Sequence, residues 1–271
     1  MELLRKFYTA DEAVERVAYE AVADAAEDNI EYLELRFSPA RKMIPPEAVV
    51  RNVVLGVERA MQDYPSKARL LLTIVREFGL TVAEEMLELA LAYADQGIVG
   101  VDLAGHEEIL RGYPFADVFQ RARKAGLGVT IHAGEVGGAD SVREAIELLG
   151  AQRIGHGVRS IEDHRVIRLL RERNITLEVC PTSNLQTGVV HTMMQHPLRD
   201  LYCLAVPVTI NTDDPSVSDT TLTDEYLISI MGMGLAIRDI QQSILNAARA
   251  VFLPPGEKQS LLQQFQGYFG L

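Results

Sequence analysis

The chain has 271 residues, of which 48% are hydrophobic and 24% charged, enough apolar material for a large core and, at this length, for an α/β barrel built as a single domain over 1–271. A formal net charge of -12 and a pI near 5.0 oppose phosphate backbones and anionic membrane surfaces, because the 26 Lys and Arg residues gather into no basic face. Small-molecule chemistry is favoured over nucleic-acid or membrane partners; the oligomeric state is not specified.

Apolar spacing at three and four residues marks helices, and short β-branched runs mark strands. Taken in order, helix DEAVERVAYEAVADAAEDN leads to strand YLELRFSP, helix PPEAVVRNVVLGVERAMQDY to RLLLTIVRE, and helix VAEEMLELALAYADQG to VGVDLAG. The alternation continues through FADVFQRARKAG to GVTIHAGE, DSVREAIELLG to RIGHG, DHRVIRLLRERN to ITLEVCPTSN, and HPLRDLYC to VPVTINTDDP. Helical patterns around 221–235, 237–251 and 255–267 follow.

Strand-helix alternation with apolar strands predicts a parallel sheet covered on its faces, either doubly wound or closed as a barrel. After the first strand the chain reads RFSPARKM, with no Gly-rich phosphate fingerprint of a doubly wound nucleotide binder. The barrel is preferred. Cys180 and Cys203 are too few for a disulfide framework. The N-terminus is charged throughout and no apolar run approaches about 18 residues, so the chain is expected in the cytoplasm. The sequon at Asn174 runs straight into an apolar strand and is read as chance.

In a parallel barrel the carboxyl ends of the strands meet at one mouth, where active sites are built. Here those ends carry Gly105, then His132 and Glu135, then His156, Asn184, Asp213 and Asp214. Imidazole nitrogens and carboxylate oxygens at such positions can bind zinc and leave a place for water. Each also has a plainer reading. A lone His after a strand is usually a packed or hydrogen-bonded residue, Glu135 could favour a helix start, and Asp213 with Asp214 before Pro215 could be a turn. Their recurrence on successive strand ends argues for a site. His106, His164, His191 and His196, in loops or at helix starts, are expected to be solvated.

HAGE at 132–135, GHG at 155–157, CPTSN at 180–184 and NTDDP at 211–215, preceded by LELRFSP and DLAGHE, resemble the adenosine deaminase family of metal-dependent purine deaminases. The resemblance runs from about the first helix to the C-terminus. It implies a (β/α)8 TIM-type barrel holding one Zn2+, and hydrolytic deamination of adenosine to inosine and ammonia by a zinc-activated water. By motif, His132 and Asp213 are implied as zinc ligands, and Glu135 as the proton donor to the ring nitrogen N1. His156 is implied to orient or deprotonate the water, Asp214 to hydrogen-bond water and purine, and Gly105 to donate from its backbone to N3. Adenine or another 6-aminopurine derivative is the alternative substrate. The zinc deaminases of nucleic acids use an H-x-E frame with a downstream P-C-x-x-C, which this chain lacks. A two-metal hydrolase with a bridging Lys is opposed by VDLAG, which ends the relevant strand without one.

The family also supplies an H-x-H motif on its first strand. This chain contains no H-x-H, and its seven strands begin where the family's second does. The chain is therefore expected to be N-terminally incomplete; a strand supplied by a separate segment or partner chain, or degeneration of the chain away from catalysis, would also account for the gap. With His132 and Asp213 alone, weak zinc binding and impaired or absent activity are expected. A non-catalytic purine-binding barrel is the reading of another class.

Overall fold

A computed structural model describes residues 9–40, 43–108 and 110–271. The charged stretch at 1–8, and positions 41 and 42 within RFSPARKM, lie outside the described residues. Two compact units emerge: one comprises residues up to Ala104 with Val118–Gly128, the other Gly105–Asp117 with Val129–Leu271.

The first unit is built from α1 (Asp11–Glu27), β1 (Tyr32–Phe37), α2 (Pro46–Asp63), β2 (Lys67–Val75), α3 (Gly79–Ala92), β3 (Ile98–Ala104) and most of α4 (Ala116–Lys124). Helix α2 starts on Pro46, whose missing N–H costs nothing in a first turn, and buries Val49, Val50, Val53, Val54, Val57 and Ala60 as one stripe. It lies close against α1. A Cβ on Gly56 would sit 2.2 Å from the carbonyl oxygen of Glu15 and 3.0 Å from the Ala18 Cβ, so only glycine lets the two backbones approach this far. Strands β1, β2 and β3 pair in parallel in chain order. Leu70, Leu71 and Leu72 on β2 are each at most 1% exposed, as expected of a strand covered on both faces. Burying each stabilises the fold by about 1.5–3 kcal/mol.

The second unit carries β4 from its second residue onward (Gly128–Ala133), α5 (Ala139–Glu147), β5 (Arg153–His156), α6 (His164–Glu172), β6 (Thr176–Val179), α7 (Pro181–Gln186), α8 (Leu198–Cys203) and β7 (Val208–Ile210). Four helices follow: α9 (Pro215–Ser218), α10 (Leu222–Met233), α11 (Ile237–Ala250) and α12 (Pro255–Phe269). Strands β4 to β7 pair in parallel, again in chain order. Thr221 and Asp224 form a reciprocal capping box that starts α10. Asn246 of α11 donates to the Val208 carbonyl of β7 at 3.0 Å, which satisfies a strand group that would otherwise need water.

Seven strands match the sequence reading, and the last two stop well before the ends of the stretches read for them. ITLEVCPTSN leaves the strand after Val179 because Pro181 opens α7, and Pro215 likewise opens α9 soon after β7. Proline at the first helical position stops a ladder and starts a helix in one step. Among the described residues no helix is long and apolar enough to cross a membrane.

Candidate active site

Strands β4 and β5 set the site's first two imidazoles. His132 is paired in register with Gly155, and Ala133 with His156. Side chains alternate along a strand, so His132 and Gly155 share a face and His156 belongs to the opposite one. It does not stay there. His156 adopts φ +61°, a left-handed conformation uncommon for a residue with a Cβ, and its ring comes to 5.2 Å from that of His132, edge-on at 63°. Gly157 continues the turn at φ +68°, where a Cβ would strike Leu177 Cδ2 at 2.6 Å. The Gly-His-Gly motif is thus a tight turn and also the device that swings His156 toward His132.

Asp213 follows β7 and is left-handed as well, at φ +60°. Backbone strain of this kind costs on the order of 1 kcal/mol or more and persists where surrounding contacts impose it. One such contact is Ser183 at the start of α7, whose hydroxyl donates to Asp213 Oδ2 at 2.7 Å. Ligand atoms of His132, His156 and Asp213 lie within 4.8 Å of one another. Two imidazoles and a carboxylate, half-open to solvent through Asp213, suit a divalent ion of zinc type. The sequence reading named His132 and Asp213 for this role; the structure brings His156 within the same reach.

Glu135 and Asp214 complete the constellation. Glu135 lies in the turn before α5, which starts at Ala139, so it does not open a helix. Its Oε2 is 3.5 Å from His156 Nε2, and Asp213 Oδ2 is 3.9 Å from the same nitrogen. Asp214 keeps contact with solvent, yet partial desolvation and the neighbouring Asp213 charge hold its carboxyl above the ordinary range, with His132 opposing them. Gly105 sits in the turn after β3, exposed and at φ +105°.

Two carboxylates that the sequence reading passed over support this arrangement. Glu107 is 4% exposed and accepts from Gly134 N at 2.7 Å, Glu135 N at 3.0 Å, Val136 N at 3.1 Å and the Ser141 hydroxyl at 2.6 Å. It gathers the N–H groups of the HAGE turn and so fixes where Glu135 stands. Gly134 makes that turn at φ +69°, with Val142 Cγ2 only 2.5 Å from where a Cβ would be. Glu225, fully buried on α10, accepts from Thr182 N at 3.2 Å and from the Thr220 hydroxyl at 3.2 Å, tying the start of α7 down. Burial pushes its carboxyl up, and the Thr182 hydrogen bonds oppose this. The only sequence signal for Glu107 was its place at the end of DLAGHE; Glu225 had none.

His196 corrects an expectation. His106, His164 and His191 are exposed, but His196 is 4% exposed, because the chain from α7 to α8 folds inward and seats the ring beside Asn184. Its Nε2 lies 3.3 Å from Asn184 Oδ1, and its Nδ1 accepts from Leu198 N at 3.0 Å. Burial holds this imidazole down, to about 4.

Comparison with known proteins fits this geometry. The profile of the family described as Adenosine deaminase matches residues 2–268. An adenosine deaminase of Klebsiella pneumoniae subsp. pneumoniae is 40% identical over 257 residues, covering 93% of this chain and 77% of the relative. Among solved structures, an adenine deaminase from Arthrobacter aurescens superposes with a TM-score of 0.90 at 25% identity, covering 97% of this chain and 81% of that one. The N6-methyl-AMP deaminase from Arabidopsis thaliana gives 0.89 at 29% identity, covering 98% and 81%. Its strand-end residues, its α/β fold and these likenesses together place the chain in the adenosine deaminase family of hydrolytic deaminases.

Proposed function

We propose that the chain removes the 6-amino group of adenosine by hydrolysis, giving inosine and ammonia. The observation that carries this reading is the convergence of His132, His156 and Asp213 with Glu135 3.5 Å from His156, in a member of a deaminase family. An imidazole and a carboxylate fit zinc, with His132 and Asp213 as its holders and His156 beside them rather than among them. Zinc bound there supplies a Lewis acid that makes water reactive near neutral pH.

The chain's own residues do the rest. Glu135, its backbone pinned by Glu107, places a proton near the purine N1, so that charge building on the ring during attack at C6 is neutralised. His156 orients the attacking water. Asp214, which resists ionising more than an ordinary aspartate, hydrogen-bonds the water and the base. The Gly105 N–H recognises N3. The contacts that impose the left-handed turns at His156 and Asp213, from Asn184 and Ser183, keep these groups from relaxing away from one another, which is the preorganisation that electrostatic catalysis requires.

A second reading, adenine or another 6-aminopurine derivative as substrate, is favoured by likeness to an adenine deaminase and an N6-methyl-AMP deaminase at comparable TM-scores. Ammonia release, measured with zinc supplied and with adenosine, adenine and AMP in parallel, decides between them. Adenosine is expected to turn over fastest. A faster rate on adenine or AMP selects the second reading, and no release from adenosine contradicts the first.

A further inference from the structure

One donor in the inner part of the site has no ambiguity: the backbone N–H of Leu198, which meets His196 Nδ1 at 3.0 Å. Its proton forces a lone pair onto His196 Nδ1. Because the ring is buried and held well below its ordinary value, it is neutral, and its one proton sits on Nε2. That nitrogen faces Asn184 Oδ1 at 3.3 Å, which fixes the amide: oxygen toward His196, nitrogen toward His156 Nδ1 at 3.1 Å. Turning the amide over would set its NH2 against the His196 N–H, two donors face to face. Asn184 is 0% exposed, His156 2% and His196 4%, so bulk water does not compensate such a clash.

We propose that Asn184 and His196 are positioning residues, a relay of fixed polarity anchored on Leu198 that keeps the neutral His156 ring with its proton on Nε2, aimed into the site. An amide nitrogen only donates, so His156 Nδ1 must accept, and the proton is left to Nε2, the atom 3.5 Å from Glu135 and 3.9 Å from Asp213. In that form His156 donates to an attacking water and orients it. A neutral ring protonated at Nε2 has no lone pair there with which to take the water's proton. The relay thus chooses between the two roles that the motif alone leaves open. It depends on the proposed function only for its effect on turnover.

Long-range proton–nitrogen NMR of histidine-labelled protein, recorded with and without zinc, tests this directly. Wild type is expected to show His156 with a protonated Nε2 and a bare Nδ1. Asn184→Asp replaces the donor with an acceptor and should move the proton to Nδ1, or protonate both nitrogens. It should lower kcat on adenosine by about tenfold or more, with KM changed by less than about threefold. His196→Gln can still donate to Asn184 and should keep the wild-type pattern. A wild-type His156 protonated at Nδ1 overturns the relay, as does Asn184→Asp with an unaltered pattern. If that variant fails to fold, the wild-type spectrum decides alone. The expected spectrum from a protein that releases no ammonia from adenosine would reject the proposed function and leave the relay standing.

Discussion

Strands β4, β5 and β6 carry two polar clusters that differ in how their charges are resolved. In one, Arg153 Nε meets Glu178 Oε1 at 2.7 Å with side chains 5% and 11% exposed, Thr130 donates to Glu178 Oε2 at 2.8 Å, and the guanidinium also reaches the Ala250 carbonyl at 3.0 Å and lies 3.7 Å over the Phe252 ring. Guanidinium and carboxylate cancel, and the surplus donor goes to a backbone oxygen. The other cluster begins two residues further along β4, at His132. There carboxylates meet imidazoles and one another, and Glu135 and Asp213 keep 18% and 29% of their side-chain surface. A cluster that neutralises its own charge holds strands together. One that gathers acceptors at an open strand end is built to hold a cation and move protons.

The sharpest way to break this contrast is to open the closed cluster. Arg153→Met leaves Glu178 buried beside Thr130 without its cation, and urea unfolding should show a loss of about 3–5 kcal/mol with zinc stoichiometry unchanged. Reduced zinc binding with unaltered stability would mean that the two clusters act as one.

The converse substitution, Glu135→Gln, should lower turnover on adenosine by at least about 10²-fold, close to 3 kcal/mol of transition-state stabilisation, while metal content and unfolding midpoint stay put. A mild effect removes Glu135 from its proton-transfer role.

His196 sharpens the comparison through pH. Its ring titrates at about 4 folded and near 6.5 unfolded. Between those values the unfolded chain binds a proton that the folded chain refuses, so stability must fall as pH drops through 6.5 toward 4, by at most about 3 kcal/mol. His196→Gln should flatten that portion of the stability–pH curve. Smallest of all is the exposed Arg16–Glu20 pair on α1: Arg16→Ala should change stability by about 0.5 kcal/mol or less, and a larger loss would show that exposed pairs in this fold are stronger than their setting allows.

What could be read from the residues follows the range of each interaction. Alternating strand and helix patterns located all seven strands, because burial on both faces of a parallel sheet writes itself locally into runs such as LLLTI. Strand-end polar residues in HAGE, GHG and NTDDP were legible because they recur where those apolar runs stop. The supports were not. Glu107 acts on a turn some 27 residues away in sequence, Glu225 on a helix 43 residues back, and His196 looks like an ordinary loop residue until Asn184 is seen beside it. The turn of His156 toward His132 was equally hidden, since strand alternation alone points it the other way.

Every catalytic role assigned to these residues depends on a divalent ion lodging between His132 and Asp213. Crystals of the protein grown with zinc and measured across the zinc absorption edge test this most directly. A single strong anomalous peak about 2.0–2.2 Å from a His132 ring nitrogen and an Asp213 oxygen is the expected result. Absence of any peak there, with zinc bound elsewhere on the chain, would contradict it.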